Sequence, residues 1–403
     1  MGIHSSVTDC CFALCTLNAM TQKAVILITA LLGVACIAMY FVLKTPSQPQ
    51  DLPEQRTRNF VVLQLDTSRL GTLTPLRNNS GDGFVVGNAR GELRVFADLQ
   101  PGATPQIYPV SKNPISAPVL VHDDVFYVGD TNGTFWAYHS GDGVKWSYKT
   151  GNQILGGAME CDGLIVVGSY SQALYAFDPE TGTLQYTVEC NGEINGSPLY
   201  LESQHAIIFG SCDGLLRKVD VRTGEVIAEI DFEHYIPETP ALYDGVLYLL
   251  TRNLDEPVDA EDGENQGVLA AIDAESFEVL YRVPTKDMYS STPFATKQYL
   301  FLTTYSQGKI NVHSRKDGAP LTTLPTEEKM TTLQTGDDSR VFAVSRIGKL
   351  YQWQRVNDQW ESTLLADLQT DCRRGCLLLG DKLVVADDNG GIFFTTMKWA
   401  ENL

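Results

Sequence analysis

The chain has 403 residues, with 49 acidic and 30 basic side chains and a formal net charge of −19. A charge this negative repels the phosphate backbone of nucleic acids, so the composition argues against a DNA- or RNA-binding protein. Residues 1–50 contribute almost none of this charge, because they hold only two lysines and one aspartate. We therefore expect an acidic soluble domain beyond residue 50 and a different kind of segment before it.

The first predicted element is a transmembrane helix. Ala24 is the first and Leu43 the last of 20 consecutive uncharged residues, with Lys23 and Lys44 on either side. At about 1.5 Å per residue, this segment is long enough to cross a hydrocarbon core of about 30 Å. A cleaved signal peptide would have a shorter apolar stretch, so the segment 24–43 is predicted to be a retained signal anchor. The alternative is a lipobox ending at Cys36, which would carry a lipid.

The predicted topology places the N-terminus in the cytoplasm and the acidic domain outside. Lysine and arginine counts beside the span, taken alone, favour the reverse orientation. However, a single span with a short N-terminus usually exports the large domain that follows it. Residues 1–23 are then a short cytoplasmic segment and residues 44–58 a Pro- and Gln-rich linker. The predicted location is the inner cell membrane, single-pass, with the domain in the periplasm. Met20 is an alternative start, which would make residues 1–19 an extension outside the native chain.

Beyond residue 80, the sequence repeats eight times a unit of two β-rich runs joined by a small-residue turn. The first runs of these units begin near Phe84, Val125, Leu164, Ala206, Val246, Tyr299, Val341 and Leu383. Six of the seven spacings lie between 39 and 42 residues, and the fifth is 53. A period of about 40–45 residues is typical of a four-stranded propeller blade. The sequence therefore predicts an all-β fold, an eight-bladed β-propeller of four-stranded blades over residues 59–403, preceded by the single N-terminal transmembrane helix.

Two local features refine this prediction. Residues 59–66 form a β-rich run too early for blade 1, so we expect them to supply the outer strand of the last blade and close the ring. Small residues followed by proline precede four of the apolar runs, at Pro118, Pro198, Pro240 and Pro293. Because proline cannot donate a ladder hydrogen bond, each should lie at the start or edge of a strand next to the axis.

The clearest copy of the repeat, residues 162–182, combines an Asp-Gly turn, the apolar run Leu-Ile-Val-Val and the sequence Leu-Tyr-Ala-Phe-Asp-Pro-Glu-Thr-Gly. Together with the proline marker, this pattern resembles the PQQ-type β-propeller repeat, over about residues 80–397. That superfamily includes quinoprotein dehydrogenases, the outer-membrane-assembly lipoprotein BamB and many membrane-anchored bacterial propellers without an assigned activity. The resemblance thus implies the architecture more firmly than the chemistry.

The resemblance also implies what an active quinoprotein would need: a quinone clamped between a tryptophan and a disulfide of adjacent cysteines, Ca²⁺ held by Glu, Asn and Asp, and an aspartate base. The cysteines beyond the predicted span are not adjacent to one another; they are Cys161, Cys190, Cys212, Cys372 and Cys376. Trp146 and Trp360 follow predicted outer turns, where the family places a packing tryptophan, so we interpret them as core residues between blades. The sequence therefore favours a non-catalytic propeller without a cofactor, with PQQ or Ca²⁺ binding as the alternative.

Other polar residues fit structural roles. Asp178, Asp220 and Asp273 recur at equivalent positions and are predicted to cap outer turns rather than to act as acids or bases. The histidines beyond the predicted span are predicted to be surface or turn residues; they are His122, His139, His205, His234 and His313. An oxidising compartment would allow a disulfide between Cys372 and Cys376, or between Cys190 and either Cys161 or Cys212.

The 53-residue repeat owes its extra length to residues 255–266, which hold six carboxylates. Asp259, Glu261, Asp262 and Asn265 are candidate Ca²⁺ ligands, because hard oxygens suit this ion. The spacing does not match an EF-hand loop, and a solvated acidic loop is the favoured interpretation. As an insertion on one rim of the ring, the loop is also a candidate partner contact.

Three functional hypotheses remain open. The favoured one is a non-catalytic, membrane-tethered scaffold that binds other envelope proteins through its rim loops, as the resemblance to BamB implies. The second is a propeller that binds PQQ or another small ligand, with a redox enzyme as its active form. The third is a receptor-like propeller of a eukaryotic membrane, which a native Gly2 N-terminus and asparagine glycosylation would support.

Overall fold

The computed structural model describes residues 60–65, 68–76, 83–253, 267–285, 292–303, 308–326, 328 and 330–396, all within the compact unit 53–403. The predicted segments 1–23, 24–43 and 44–58 and the acidic loop 255–266 lie outside the described residues. No helix within the described ranges is long and apolar enough to cross a membrane.

Within the described residues, thirty-two strands form eight antiparallel sheets of four strands, and each sheet is one blade. Strand β1, Val61–Gln64, precedes blade 1. Blades 1 to 4 are built in chain order from β2 Thr74–Pro75, β3 Phe84–Gly87, β4 Glu92–Phe96 and β5 Gln106–Pro109; β6 Leu120–His122, β7 Val125–Gly129, β8 Thr134–His139 and β9 Gly143–Lys149; β10 Met159–Cys161, β11 Leu164–Ser169, β12 Ala173–Phe177 and β13 Leu184–Glu189; and β14 Leu199–Leu201, β15 Ala206–Gly210, β16 Leu215–Asp220 and β17 Val226–Asp231. Blades 5 to 8 are built from β18 Ala241–Tyr243, β19 Val246–Leu250, β20 Gly267–Asp273 and β21 Val279–Thr285; β22 Phe294–Ala295, β23 Tyr299–Thr303, β24 Lys309–Ser314 and β25 Pro320–Pro325; β26 Met330–Asp337, β27 Arg340–Ser345, β28 Lys349–Val356 and β29 Gln359–Asp367; and β30 Cys376–Leu379, β31 Lys382–Ala386 and β32 Gly391–Thr396 with β1. One 3₁₀ turn, Glu202–Gln204, joins β14 to β15.

The strands of a blade are hydrogen-bonded in chain order, and the first strand is innermost, since β10 contacts β14 and β18 contacts β22 of the following blade. The second strand begins at the predicted residue in six blades. In blades 7 and 8 it begins one residue earlier than predicted, at Arg340 and Lys382. The fold is therefore the predicted all-β, eight-bladed propeller of four-stranded blades.

The first strand of the chain closes the ring. Strand β1 pairs antiparallel with β32, with Val61 opposite Phe394 and Gln64 opposite Gly391. The side chain of Leu63 is 7% exposed and packs in one cluster with residues of blades 1 and 8, including Phe84. The predicted role of this early strand as the outer strand of the last blade is confirmed.

The apolar core lies between blades rather than within one sheet. Successive side chains of a strand point to opposite faces of its sheet, so each face of a blade meets a different neighbour. In blade 3, Ile165 and Val167 pack against blade 2, whereas Val166 packs against blade 4. This explains why the second strands are apolar at almost every position, because both of their faces are buried.

The proline markers stand at the start of the innermost strands, as predicted. Pro198, Pro240 and Pro293 directly precede β14, β18 and β22, whereas Pro118 lies two residues before β6. The serine or threonine that precedes the proline has a role that the sequence did not indicate. Ser197 Oγ accepts a hydrogen bond of 2.7 Å from the amide of Gly157, and Thr239 Oγ1 accepts one of 2.7 Å from the amide of Ser197. These bonds join the inner strands of blades 3, 4 and 5.

The aspartates of the outer turns, between the third and fourth strands of a blade, are caps. Asp178 Oδ1 accepts hydrogen bonds from the amides of Glu180 and Thr181, at 3.1 and 2.8 Å, and from the hydroxyl of Thr181. Asp220 and Asp273 bind the equivalent amides of their own turns. These hydrogen bonds lower the pKa of all three carboxyls. The prediction that they cap turns is confirmed.

An aromatic side chain on the outermost strand joins each of three blades to the next. Trp146 of blade 2 packs against Phe177 of blade 3 with ring centroids 5.6 Å apart. Its Nε1 donates a 2.9 Å hydrogen bond to the carbonyl of Pro179 in the outer turn of blade 3. Tyr186 and Tyr281 make the same kind of bond to the outer turns of blades 4 and 6. The interpretation of Trp146 as a core residue between blades is confirmed.

Buried polar residues cap the turns between the second and third strands. Seven such residues are buried: Asn88, Asp130, Ser169, Ser211, Thr251, Ser345 and Asp387. Blade 4 adds an ion pair in which Asp213 Oδ2 lies 2.7 Å from Arg217 Nη2, with the side chains 7% and 5% exposed. Burial alone would raise the pKa of Asp213, but hydrogen bonds from Arg217 and Ser211 outweigh it and hold the value at about 2.

Substitution of Asp213 should therefore change the acid stability of the ring. An aspartate whose folded pKa lies below its unfolded value stabilises the fold above pH 4, and this stability is lost as the pH falls through about 2. We expect the Asp213→Asn variant to be about 2 kcal/mol less stable than wild type at pH 6 from this titration alone. The difference should shrink towards pH 2 in urea unfolding experiments. A difference that stays constant from pH 6 to pH 2 would contradict this assignment.

Two expectations about single residues are wrong. The cysteines at 161, 190, 212, 372 and 376 are all free thiols, so none of the proposed disulfides forms. His313 is not a surface or turn residue but is 6% exposed, with its Nδ1 2.8 Å from the carbonyl of Gly318. Burial lowers the pKa of His313, which lies in the interior of blade 6.

Candidate interaction surface

The turns divide between two faces of the ring. The turns between first and second strands and the outer turns lie on one face, which we call the outer-turn face. The turns between second and third strands and the connections from one blade to the next lie on the other, which we call the crossover face. The predicted Ca²⁺ ligands are Asp259, Glu261, Asp262 and Asn265, which come between β19 and β20 in the sequence. They lie outside the described residues.

Three consecutive grooves open at the outer-turn face. They lie between blades 4 and 5, blades 5 and 6, and blades 6 and 7, with volumes of about 610, 390 and 490 Å³. Each is lined by turn residues of two neighbouring blades. Because the grooves are adjacent, they form a continuous strip along about half of the rim.

The groove between blades 4 and 5 is acidic. Its lining includes Glu202, Asp244, Asp273 and Glu275, together with Leu242, which is 43% exposed. Of these carboxylates, Asp273 is used by its own turn, and Asp244 Oδ2 lies 3.5 Å from Nη2 of Arg315 in the next groove. The groove therefore presents an apolar side chain beside the carboxylates of Glu202 and Glu275.

The groove between blades 5 and 6 is basic. Lys297, Arg315 and Lys316 line it, and Leu280, 54% exposed, lies on its wall. The guanidinium of Arg315 is fixed in place, because its Nε donates a 2.8 Å hydrogen bond to the carbonyl of Lys297 and its Cζ lies 4.9 Å from the centre of the Tyr243 ring. A fixed arginine loses less side-chain entropy when a partner binds.

The groove between blades 6 and 7 is aromatic. Tyr299 and Trp360 line it with Leu321, which is 53% exposed. Trp360 packs edge-on against Phe301 of blade 6, with centroids 5.7 Å apart, so its predicted role as a core residue between blades is confirmed. The guanidinium of Arg355 lies 5.3 Å from the centre of the Tyr299 ring and donates a hydrogen bond to its hydroxyl.

The strip as a whole has the composition of a protein-binding surface. An exposed leucine stands in each groove, and tryptophan, tyrosine and arginine surround these leucines in the second and third grooves. These residue types dominate the energetics of protein interfaces. The change of charge from the acidic to the basic groove would fix the register of a bound segment. The sequence repeat did not indicate this strip, because each groove is made by turn residues of two blades.

One carboxyl group on the crossover face has a raised pKa. Glu238 lies just before the innermost strand of blade 5, and burial raises the pKa of its carboxyl to about 7. Across the described ranges, no group of three His, Cys, Asp or Glu side chains has the geometry to hold a metal ion. We therefore take the outer-turn strip as the candidate functional surface.

Comparisons with known proteins agree with this architecture. The family model described as outer membrane protein assembly factor BamB matches residues 146–227, which run from the last strand of blade 2 to the last strand of blade 4. No curated protein matches the chain.

Similar solved structures cover almost the whole propeller. BamB from Moraxella catarrhalis is 16% identical, with a TM-score of 0.66 over 84% of this chain and 98% of that one. The computationally designed protein Ika8 is 15% identical, with a TM-score of 0.67 over 85% and 99%. Sqt1 from Saccharomyces cerevisiae is 11% identical, with a TM-score of 0.65 over 83% and 98%. At these identities the structural likeness shows the fold alone, and the family match covers residues 146–227: over that segment the chain is similar to the PQQ-like repeat of BamB.

Proposed function

We propose that this protein is a non-catalytic scaffold of the cell envelope, tethered to the inner membrane by residues 24–43, which binds a partner protein through the strip of three grooves. The observation that carries the proposal is the adjacent placement of three exposed leucines, Leu242, Leu280 and Leu321, in grooves of different charge. The similarity to the BamB repeat supports a role in the assembly of other envelope proteins.

The chemistry of the remaining side chains supports a non-catalytic role. Burial raises the pKa of the thiols of Cys190 and Cys212 to about 11, and that of Cys376 to about 12. Thiols with such values stay protonated at neutral pH and are poor nucleophiles. The aspartates that recur along the repeat are occupied with turn amides, so they are not free to act as general bases.

Substitutions in the strip should abolish partner binding. In cells that express the full chain, the Leu280→Asp/Leu321→Asp variant should capture its specific crosslinked partner at least about tenfold less than wild type, because burial of two carboxylates at an interface is unfavourable. The matched control is Ile107→Asp, since Ile107 is 54% exposed on the outermost strand of blade 1, away from the grooves. Equal capture by wild type and the double variant would contradict the proposal.

A further variant distinguishes the strip from the acidic loop. Deletion of residues 255–266 removes the acidic segment between β19 and β20 and leaves the groove residues in place. We expect this deletion to leave capture of the partner unchanged. Loss of capture in the deletion but not in the leucine variant would instead assign binding to the acidic loop.

A further inference from the structure

Two arginines pair with one carboxylate at the crossover face of blade 8, and a third arginine lies near enough to feel their charges. Arg69 lies in the connection from β1 to β2, and Arg373 and Arg374 lie in the connection from β29 to β30. The carboxylate belongs to Asp388, in the turn between β31 and β32. Its Oδ2 is 3.4 Å from Arg69 Nε and 3.1 Å from Arg373 Nε. Three loops that are far apart in the chain therefore build a single charged cluster.

The cluster is short of negative charge. The charged groups that act on the guanidinium of Arg374 are Arg69 and Arg373, which are cationic, and Asp388, which is anionic. Burial and the two neighbouring arginines lower the pKa of Arg374, and only Asp388 opposes this shift. Three positive charges thus share one carboxylate in a chain whose net charge is −19.

The neighbouring aspartates do not supply the missing charge. Asp387 is engaged within its own turn, where its side chain accepts hydrogen bonds from the hydroxyl of Thr370, at 2.8 Å, and from the amides of Asn389 and Gly391. Burial raises the pKa of Asp387. The side chain of Asp371 is exposed, and its carbonyl oxygen accepts the amide of Asp388.

Two buried polar atoms of the cluster lack partners within the described part of the chain. They are Nε of Arg374 and Oδ1 of Asp388, each shielded from solvent. The Asp388 side chain is only 12% exposed, whereas those of Arg69 and Arg373 are 47% and 44% exposed. A buried donor without an acceptor is unfavourable, so Nε of Arg374 is suited to an acceptor oxygen supplied by a bound ligand.

The position of Arg374 in the blade brings the cluster close to the axis. In blade 4, Leu199 pairs with Ile208, and in blade 8 the equivalent pair is Leu377 with Val384. Leu199 and Leu377 are therefore equivalent positions. The residue three positions earlier is Gly196 in blade 4 and Arg374 in blade 8, and both come shortly before the innermost strand. At that place in blade 4 the chain is in such close contact with blade 5 that a Cβ on Gly196 would lie 2.5 Å from the amide nitrogen of Thr239.

We propose that Arg69, Arg373 and Arg374 form a binding site for an oxyanion, the carboxylate or phosphate group of a small ligand, beside the axis on the crossover face. A guanidinium offers a planar fork of donors that matches two oxygens of such a group. Asp388 is a positioning residue, because it engages Nε of Arg69 and Arg373 and leaves their terminal nitrogens for the ligand. The site lies on the face opposite the groove strip, so it is independent of the proposed partner surface.

The proposal is tested by ligand-dependent thermal stability of the full-length protein. Citrate and inorganic phosphate serve as the carboxylate and phosphate probes, with sodium chloride at equal ionic strength as the reference. A ligand that binds only the folded state raises Tm saturably. We expect such a rise in wild type with at least one probe, and the probe that gives it identifies the chemistry of the ligand. No saturable rise above the chloride reference with either probe would overturn the proposal.

Variants locate the site. Arg374→Gln should raise the apparent Kd for the effective probe at least about tenfold, because one guanidinium fork is lost. Arg373→Gln, at a more exposed position, provides the same test should Arg374→Gln fail to fold. The control is Arg222→Gln, which removes one positive charge, 67% exposed, from the outer turn of blade 4 and should leave the Kd unchanged. Equal Kd values for wild type and a folded Arg373→Gln or Arg374→Gln variant would overturn the assignment.

Discussion

Replacement of Leu63 with aspartate should open the ring and lower the free energy of unfolding by about 4 kcal/mol or more. Leu63 lies on β1, the strand that the N-terminal part of the chain contributes to blade 8, and its side chain is 7% exposed. Aspartate would lose the apolar contacts with the cluster between blades 1 and 8 and would place an unpaired charge there. Detachment of β1 would also leave β32 as an unpaired edge. Urea unfolding of the full chain measures the effect.

The control lies at the adjacent position. Val62 is 36% exposed and faces away from the cluster that contains Leu63, because side chains alternate along a strand. Val62→Asp should therefore cost only about 0.5 kcal/mol. If Val62→Asp and Leu63→Asp are equally mild, β1 does not contribute to the closed ring.

Alanine at Gly182 should produce the second large effect. Gly182 ends the outer turn of blade 3 at φ +70°, and a Cβ there would lie 2.6 Å from Cδ2 of Trp146. The indole cannot retreat, because it packs against Phe177 and is hydrogen-bonded to the carbonyl of Pro179. We expect Gly182→Ala to cost about 3 kcal/mol, the sum of backbone strain and steric overlap. Denaturant unfolding monitored by Trp fluorescence measures the loss.

Gly163 provides the matched control for this prediction. It lies in the same blade at φ +80°, but a Cβ on it would meet no atom within 4 Å. Gly163→Ala therefore measures only the cost of placing alanine at a positive φ, which is about 1 kcal/mol. Equal losses in Gly163→Ala and Gly182→Ala would show that the joint between Trp146 and blade 3 adds nothing to stability.

The sequence predicted the features that repeat. Blade number, the second strands and the caps at Asp178, Asp220 and Asp273 all follow from local patterns with a fixed period. A strand such as Leu164–Ser169 is buried on both faces, so its apolar run is continuous and easily recognised. Closure by β1 was also predictable from the repeat. The β-rich run at residues 59–66 precedes blade 1, and the last repeat has no outer strand of its own.

The sequence could not predict features that depend on contacts between loops. Asp388 meets Arg69 across more than three hundred residues of chain, and no spacing in the sequence marks that meeting. The bond from Ser197 to Thr239 depends on the angle between two blades. His313 was misassigned because its environment is decided by the packing of blade 6, not by its neighbours in sequence.

The pairing of Val61 with Phe394 has a consequence for biosynthesis. During translation the earliest β-strand of the domain leaves the ribosome without its partner, which follows some three hundred residues later. At about 5–20 residues per second, that wait lasts on the order of tens of seconds. Throughout this interval the nascent chain exposes an unsatisfied backbone edge that invites aggregation. The last blade can therefore be completed only when synthesis is nearly finished, which makes this stage a natural point of action for a chaperone.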